Sequence, residues 1–207
     1  MRIEVVHTNG LFTIDGESFA VENNVWILGD DHEVLIVDAA HDAAPIADAV
    51  GGRTVRAIVC THGHNDHINA ADDLSRATGG SPILLHPDDE MLWDTVYPDR
   101  RPDGDLRDGA DLDVAGTRLR VLHTPGHSPG GVCLLGPDGH VFGGDTLFQG
   151  GPGATGRSNS DFPTIIASIR DRLLVLPAET IVHTGHGEST TVGLEAPHLE
   201  EWIARGH

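Results

Sequence analysis

Residues 61–67 read Thr61-His62-Gly63-His64-Asn65-Asp66-His67. Four of these side chains, His62, His64, Asp66 and His67, are potential metal ligands, and they fall within six residues. They follow directly on Val55–Cys60, an apolar run that reads as a buried strand. Histidines two apart on an extended segment can turn to the same side. A following turn can bring Asp66 and His67 round to a second ion. The end of a strand is where functional loops gather.

Three further pieces share this character. Thr124-Pro125-Gly126-His127 follows a strand-like run ending in His123, Gly143-Gly144-Asp145 one ending in Phe142, and Thr184-Gly185-His186-Gly187 one ending in His183. Each sets a ligand-type residue just past a strand, beside glycine where the backbone must turn tightly. One alone says little, since a single histidine after a strand is more often structural. Four in one chain form a pattern.

The remaining chain supplies the frame. Before residue 38 the β-prone runs are Arg2–His7, Phe12–Ile14, Phe19–Val21 and Val25–Leu28, separated by turn signals at Asn9-Gly10 and Asp15-Gly16. Glu33–Asp38 is nearly continuous in apolar residues, as expected of a strand covered on both faces. Helices are predicted over Ala43–Val50, Ile68–Thr78, Asp88–Tyr97, Phe162–Leu176 and Leu194–Arg205. Further strands are predicted at Pro82–His86, Leu112–Val114, Thr117–His123, Gly131–Leu135, His140–Phe142 and Thr180–His183. Residues 98–111 read as a polar loop with one edge strand, and 148–161 as a flexible Gly-rich loop. The order of strands, mixed α/β and strands again favours two packed sheets with helices outside over one doubly wound sheet. The length of 207 residues fits a single domain over 1–207.

Composition excludes several function classes. There are 32 acidic residues, 13 arginines and no lysine, for a net charge of −19. Gripping a nucleic-acid backbone needs a basic stripe, and docking on an anionic membrane needs a basic patch. No run of 18 apolar residues occurs, and the N-terminus lacks the apolar stretch of a secretory signal. With only Cys60 and Cys133, a cytoplasmic protein with free thiols is expected, Cys60 acting as a small buried hydrophobe.

The motifs HGHNDH, TPGH, GGDTLF and TGHG, in that order, resemble those of the metallo-β-lactamase superfamily, and within it the short bacterial glyoxalase II-like hydrolases. The resemblance covers essentially the whole chain. It implies an αβ/βα sandwich of two mixed β-sheets flanked by helices, with a two-metal site along one edge. It also implies that His62, His64 and His127 hold one metal, Asp66, His67 and His186 a second, and that Asp145 bridges them. The donors are nitrogen and oxygen only; zinc is the first choice, with iron or manganese open. In such a site a bridging hydroxide attacks a carbonyl polarised by metal, and Asp66 orients the nucleophile.

The implied activity is hydrolysis of a small-molecule thioester, an acyl conjugate of a thiol such as glutathione or mycothiol. A thiolate leaves readily, so little general-acid help is required. A bridging Asp145 argues against the antibiotic-hydrolysing branches, and the acidic charge against the ribonuclease-type members. Alternatives are a persulfide dioxygenase with one iron on His62, His127 and Asp145, and a lactonase or other small-ester hydrolase. About twenty residues follow His186, too few for the helical extension that grips glutathione in longer members. Arg157 is the candidate substrate contact, able to bind a carboxylate bidentately or to pair with one of the many surface acids. Tyr97 and Trp93 can line the pocket or the core. His123 and His183 can support ligands or simply fill strand positions. His7, His32, His41, His86, His140, His198 and His207 read as surface or structural. Oligomeric state is left open.

Overall fold

The computed structural model describes residues 1–206; His207 lies outside the described residues. β1 (Arg2–Ile14) and β2 (Glu17–Gly29) form one long antiparallel ribbon, with Arg2 opposite Gly29 and Ile14 opposite Glu17. Its tight turn is Asp15-Gly16, both at positive φ (52° and 78°), as a two-residue hairpin loop of matching twist requires. The expected turn at Asn9-Gly10 is absent: both are strand residues, opposite Glu22 and Val21. Gly10 serves a close approach instead, since a Cβ there would stand 2.1 Å from Nδ1 of His41.

β3 (Glu33–Val37) pairs antiparallel with β2, then β4 (Thr54–Val59), β5 (Ile83–Leu85) and β6 (Gly104–Asp105) add parallel strands. This first sheet has the order β1-β2-β3-β4-β5-β6. The second is built from β7 (Asp111–Val114), β8 (Thr117–His123), β9 (Val132–Gly136) and β10 (His140–Gly144), all antiparallel. A small hairpin, β11 (Leu147–Phe148) with β12 (Gly151–Pro152), opens the segment expected to be a loop. β13 (Ile181–Thr184) then joins parallel to β10, and β14 (Thr190–Thr191) antiparallel to β13. The second order is β14-β13-β10-β9-β8-β7, so both sheets are mixed.

The sheets pack through alternation along their strands. In β3, Leu35 and Val37 face the second sheet, meeting Leu119, Val121, Leu134 and Phe142. Val34 and Ile36 face outward onto α1 (Ala43–Val50) and α3 (Ala71–Ala77) through Ile46, Val50 and Leu74. This double burial explains the continuous apolar run of β3. The outer face of the second sheet, through Val141 and Val182, is covered by α5 (Phe162–Ser168) and α7 (Leu199–Arg205), with Ile165, Ile166 and Trp202. The result is an αβ/βα sandwich.

Helix boundaries depart from the sequence reading. The expected helix 68–78 begins earlier, as α2 (Asn65–Ile68), and breaks before α3. The Asn69 side chain takes the His41 N–H there, and Ala70 N donates to Ala39 O. The expected helix 88–97 is a 3₁₀ turn, Pro87–Asp89, followed by α4 (Glu90–Trp93). Phe162–Leu176 keeps α geometry only in α5 and continues as a π turn, Ile169–Leu173. The last helix is split into α6 (Val192–Glu195), a 3₁₀ turn at Ala196–His198 and α7, where Pro197 supplies no N–H. Among the described residues, no helix is long and apolar enough to cross a membrane.

Leu119 is fully buried between the sheets, whereas Val175 is 70% exposed. Leu119→Ala is expected to cost about 2–5 kcal/mol of stability, and Val175→Ala within about 0.5 kcal/mol. Urea unfolding of the two variants measures the difference; equal losses would contradict this placement of the core.

Candidate metal centre

Strand direction gathers the ligand-type residues at one edge. β3 and β4 run parallel, so Asp38 and residues 61–67 leave the first sheet at the same end. β8 and β10 are both antiparallel to β9, and β13 is parallel to β10. The loops carrying His127, Asp145 and His186 therefore leave the second sheet at a common end. Three compact groups result: His62, His64 and His127; Asp66, His67 and His186; and His62, His67 and Asp145. Within each, the donor atoms lie within 4.8 Å of one another.

Asp145 stands between the first two groups. Its Oδ1 is 3.4 Å from His67 Nε2, and its Oδ2 is 3.6 Å from His127 Nε2 and 3.4 Å from His186 Nε2. Within the groups, His64 Nδ1 is 3.0 Å from His127 Nε2, and His67 Nε2 is 3.2 Å from His186 Nε2. Gly185 makes this approach possible, because a Cβ there would lie 2.3 Å from Asp145 Oδ1 and 2.6 Å from the His67 ring.

The far atoms of these side chains are anchored. His67 Nδ1 bonds Asp38 Oδ2 at 3.0 Å, His127 Nδ1 bonds Ala154 O at 2.8 Å, and His186 Nδ1 bonds Glu22 O at 2.7 Å. Thr61 Oγ1 donates to Asp38 Oδ2 and so can accept from His62 Nδ1, 3.1 Å away. Each bond fixes a ring and turns its other nitrogen inward, as metal-ligating histidines require. His62 Nε2, His64 Nε2, Asp66 Oδ1 and Asp145 Oδ1 are buried with no hydrogen-bond partner. Unpartnered buried donors and acceptors are costly. A cluster of them, all nitrogen and oxygen, fits divalent cations as the missing partners.

Protonation differs between the groups. Burial, helped by His67, His64 and His127, holds His62 well below the ordinary imidazole range. Burial and then His127 lower His64 to about 3. Burial also opposes a proton on His67, but Asp145, Asp66 and Asp38 outweigh it and raise its pKa well above the ordinary value. On His186 burial is likewise outweighed, chiefly by Asp145, and the pKa rises to about 10. Burial works against ionised Asp66, yet His67 and His186 bring it down to about 2. His62 and His64 thus offer free lone pairs, while a cation entering beside His67 and His186 must displace protons.

Several contributors escaped the sequence reading. Asp38 ends β3 at φ 60° and is buried; beside its bond to His67 it accepts from Thr61 N at 2.7 Å. Asn23 Nδ2 donates to Asp66 Oδ2 at 3.2 Å, and its Oδ1 meets His41 Nε2 at 2.8 Å. His41, expected to be a surface or structural residue, therefore stands directly behind the second group. Asp89 accepts from Gly63 N, Ser128 Oγ and Gly130 N at 2.7, 2.7 and 2.5 Å, tying the His62–His64 turn to the His127 loop. Nothing in the local pattern separated these carboxylates from the many others. Burial together with a positive φ identifies Asp38, and both are properties of the fold.

The expected substrate contacts separate. Arg157 lines a recess with Phe12, Ile14, His64 and His127, but its guanidinium is held by Glu17 at 2.5 Å and lies 5.6 Å over the Phe19 ring. Tyr97 packs into the core instead. Its hydroxyl donates to Ile68 O at 2.9 Å and its ring packs on Trp93, 4.5 Å between centroids, against the first core cluster. An aromatic at that point completes the packing under α2. His123 stacks on His86 and bonds Pro129 O, and His183 stacks on Phe142 and bonds His140; these contacts are with residues outside the three groups.

Asp38→Ala frees one edge of the His67 ring. The expected loss of zinc affinity is about 10–100-fold, read by competition with a chromophoric chelator. Unchanged affinity would mean that packing alone orients His67.

The family model of the metallo-beta-lactamase superfamily matches residues 19–186. The hydroxyacylglutathione hydrolase GloC of Haemophilus influenzae is 31% identical over 195 residues, covering 85% of this chain and 91% of that protein. Two crystal structures are also similar. The B3 metallo-beta-lactamase BLEG-1 is 31% identical with a TM-score of 0.77, over 92% of this chain and 97% of that one. The di-iron-bound form of TTHA1623 is 34% identical with a TM-score of 0.73, over 85% of this chain and 93% of that one. The converging strand ends, the three ligand groups and these likenesses agree, and the chain belongs to the metallo-β-lactamase superfamily.

Proposed function

We propose that this protein is a two-metal hydrolase that cleaves a small-molecule thioester, an acyl conjugate of a low-molecular-weight thiol. The observation that carries the reading is Asp145, which faces His67 with one oxygen and His127 and His186 with the other. His62, His64 and His127 would hold one divalent cation, Asp66, His67 and His186 a second, and Asp145 would reach both. When bound, such cations acidify water and polarise an acyl carbonyl. Asp66, whose Oδ1 is buried and without a hydrogen-bond partner, would orient the attacking water as well as hold metal. Arg157 would touch substrate with its stem, its charge being taken by Glu17. The likeness to GloC supports a thioester, and a thiolate leaving group needs no dedicated acid. Zinc is the metal we expect; the likeness to a di-iron form keeps iron in the test. The two buried free cysteines suit a cytoplasmic setting.

The test couples metal analysis to a substrate panel on one sample. Expected are about two metal equivalents per chain, hydrolysis of at least one small-molecule thioester of the panel, loss on chelation and recovery with metal. One iron per chain with oxygen uptake on a persulfide would replace this reading with a dioxygenase. Faster turnover of a β-lactam or a lactone would reassign the scissile bond. Asp145→Ala is expected to lose nearly all turnover and the second metal equivalent; normal metal content and rate would refute its bridging place.

A further inference from the structure

A cavity of about 370 Å³ opens on the outer side of His64, between the β1–β2 turn, α4 and the 158–159 segment. Its size lies within the range of small-ligand sites, about 300–1,000 Å³. Gly63 and His64 are among its lining residues, so a ligand seated there lies beside the first ligand group. Asn65, Thr95 and Asn159 supply neutral amide and hydroxyl groups to its wall, and Leu92 an apolar patch. The charged group on the wall is Asp15. Ser158 donates to it twice, from N at 3.2 Å and Oγ at 2.5 Å, which holds the carboxylate in place at the rim. No arginine is among the residues lining the cavity, and the chain has no lysine. Arg157 in the adjoining recess is already paired with Glu17.

We infer that this cavity takes the thiol moiety of the substrate and selects an uncharged tail that carries amide or hydroxyl groups. That the reacting bond is a thioester rests on the function proposed above; the assignment of the tail rests on the cavity. A carboxylate tail would leave water for a wall with no cationic side chain and one fixed carboxylate, so it meets both a desolvation cost and repulsion from Asp15. A neutral polar tail can bond the Asn159 amide and donate to the Thr95 hydroxyl, whose own proton goes to Leu92 O, while its methylenes cover Leu92.

Three acetyl thioesters sharing the reacting bond separate the possibilities: those of N-acetylcysteamine (neutral), 3-mercaptopropionate (anionic) and thiocholine (cationic). Zinc-loaded protein is expected to favour the neutral tail over the anionic one by about tenfold or more in kcat/KM, mainly through KM. Thr95→Arg places a cation on the wall and is expected to narrow that ratio by about tenfold. Equal or better use of the anionic tail, or a tenfold preference for the cationic one over the neutral, overturns the assignment. Non-hydrolysable thioether analogues of the same tails give a readout independent of turnover, through the amide shifts of Asn65, Thr95 and Asn159. If no thioester is cleaved but the neutral thioether alone moves these amides, the thioesterase reading fails and the tail assignment stands. If the anionic thioether moves them equally, or none does, the tail assignment fails whatever the turnover.

Discussion

The carboxylate of Asp38 joins the parts on which the site depends. It leaves β3 in a left-handed conformation and accepts from Thr61 N, Thr61 Oγ1 and His67 Nδ1. A carboxyl group in so buried a place is tolerable only when its oxygens are bonded. Those bonds fix the exit of β4, the tautomer of His67 and, through the Thr61 hydroxyl, the orientation of His62. Both ligand groups are thus referred to one side chain at the end of one strand. Asp89 does the matching task farther along, holding the Gly63 turn against the Ser128–Gly130 loop. In each case a carboxylate replaces the water that exposed loop amides would otherwise need.

The sandwich explains why such loops meet at all. Parallel pairing of β3 with β4, and of β10 with β13, sends their carboxyl ends to one edge. The alternating burial of β3 sets the two sheets face to face with helices outside. The ligand residues then sit where backbone is free to turn but packing on both sides is firm. The acidic excess of the chain is spread over the exterior, in pairs such as Arg101 with Asp94 and Arg172 with Asp108. Exposed pairs of this kind contribute little stability.

Much of the site was legible in the chain, because its ligands come in clusters next to strands and because glycines mark the turns. The seven residues named from HGHNDH, TPGH, GGDTLF and TGHG are the ones the fold brings together. What escaped was what depends on partners distant in sequence. Asn9-Gly10 has the composition of a turn, yet the ribbon runs straight through it, since Gly10 is required by the ring of His41 beside it. The turn carrying Asp66 and His67 was expected, but not its anchor, the Asn65 side chain bonded to Thr13 N and Leu11 O across the ribbon. Tyr97 carries the composition of a pocket residue and the position of a core one. Arg157 had two open partners in the sequence, and the nearness of the hairpin tip selected Glu17.

By itself, the sequence determined the ligand chemistry, the approximate order of strands and helices, and the absence of lysine as a means of holding substrate. Side-chain type and local spacing are one-dimensional properties, and donor sets and periodicities follow from them. The tertiary structure alone decided which carboxylates support the ligands, which nitrogen of each ring faces inward, and which wall of the cavity carries charge. Those depend on burial and on contacts between residues far apart in the chain, such as Asn24 with Gly187 or Ser158 with Asp15. An aspartate on the surface and an aspartate behind a ligand have the same letter; desolvation tells them apart, and desolvation exists only once the chain is folded.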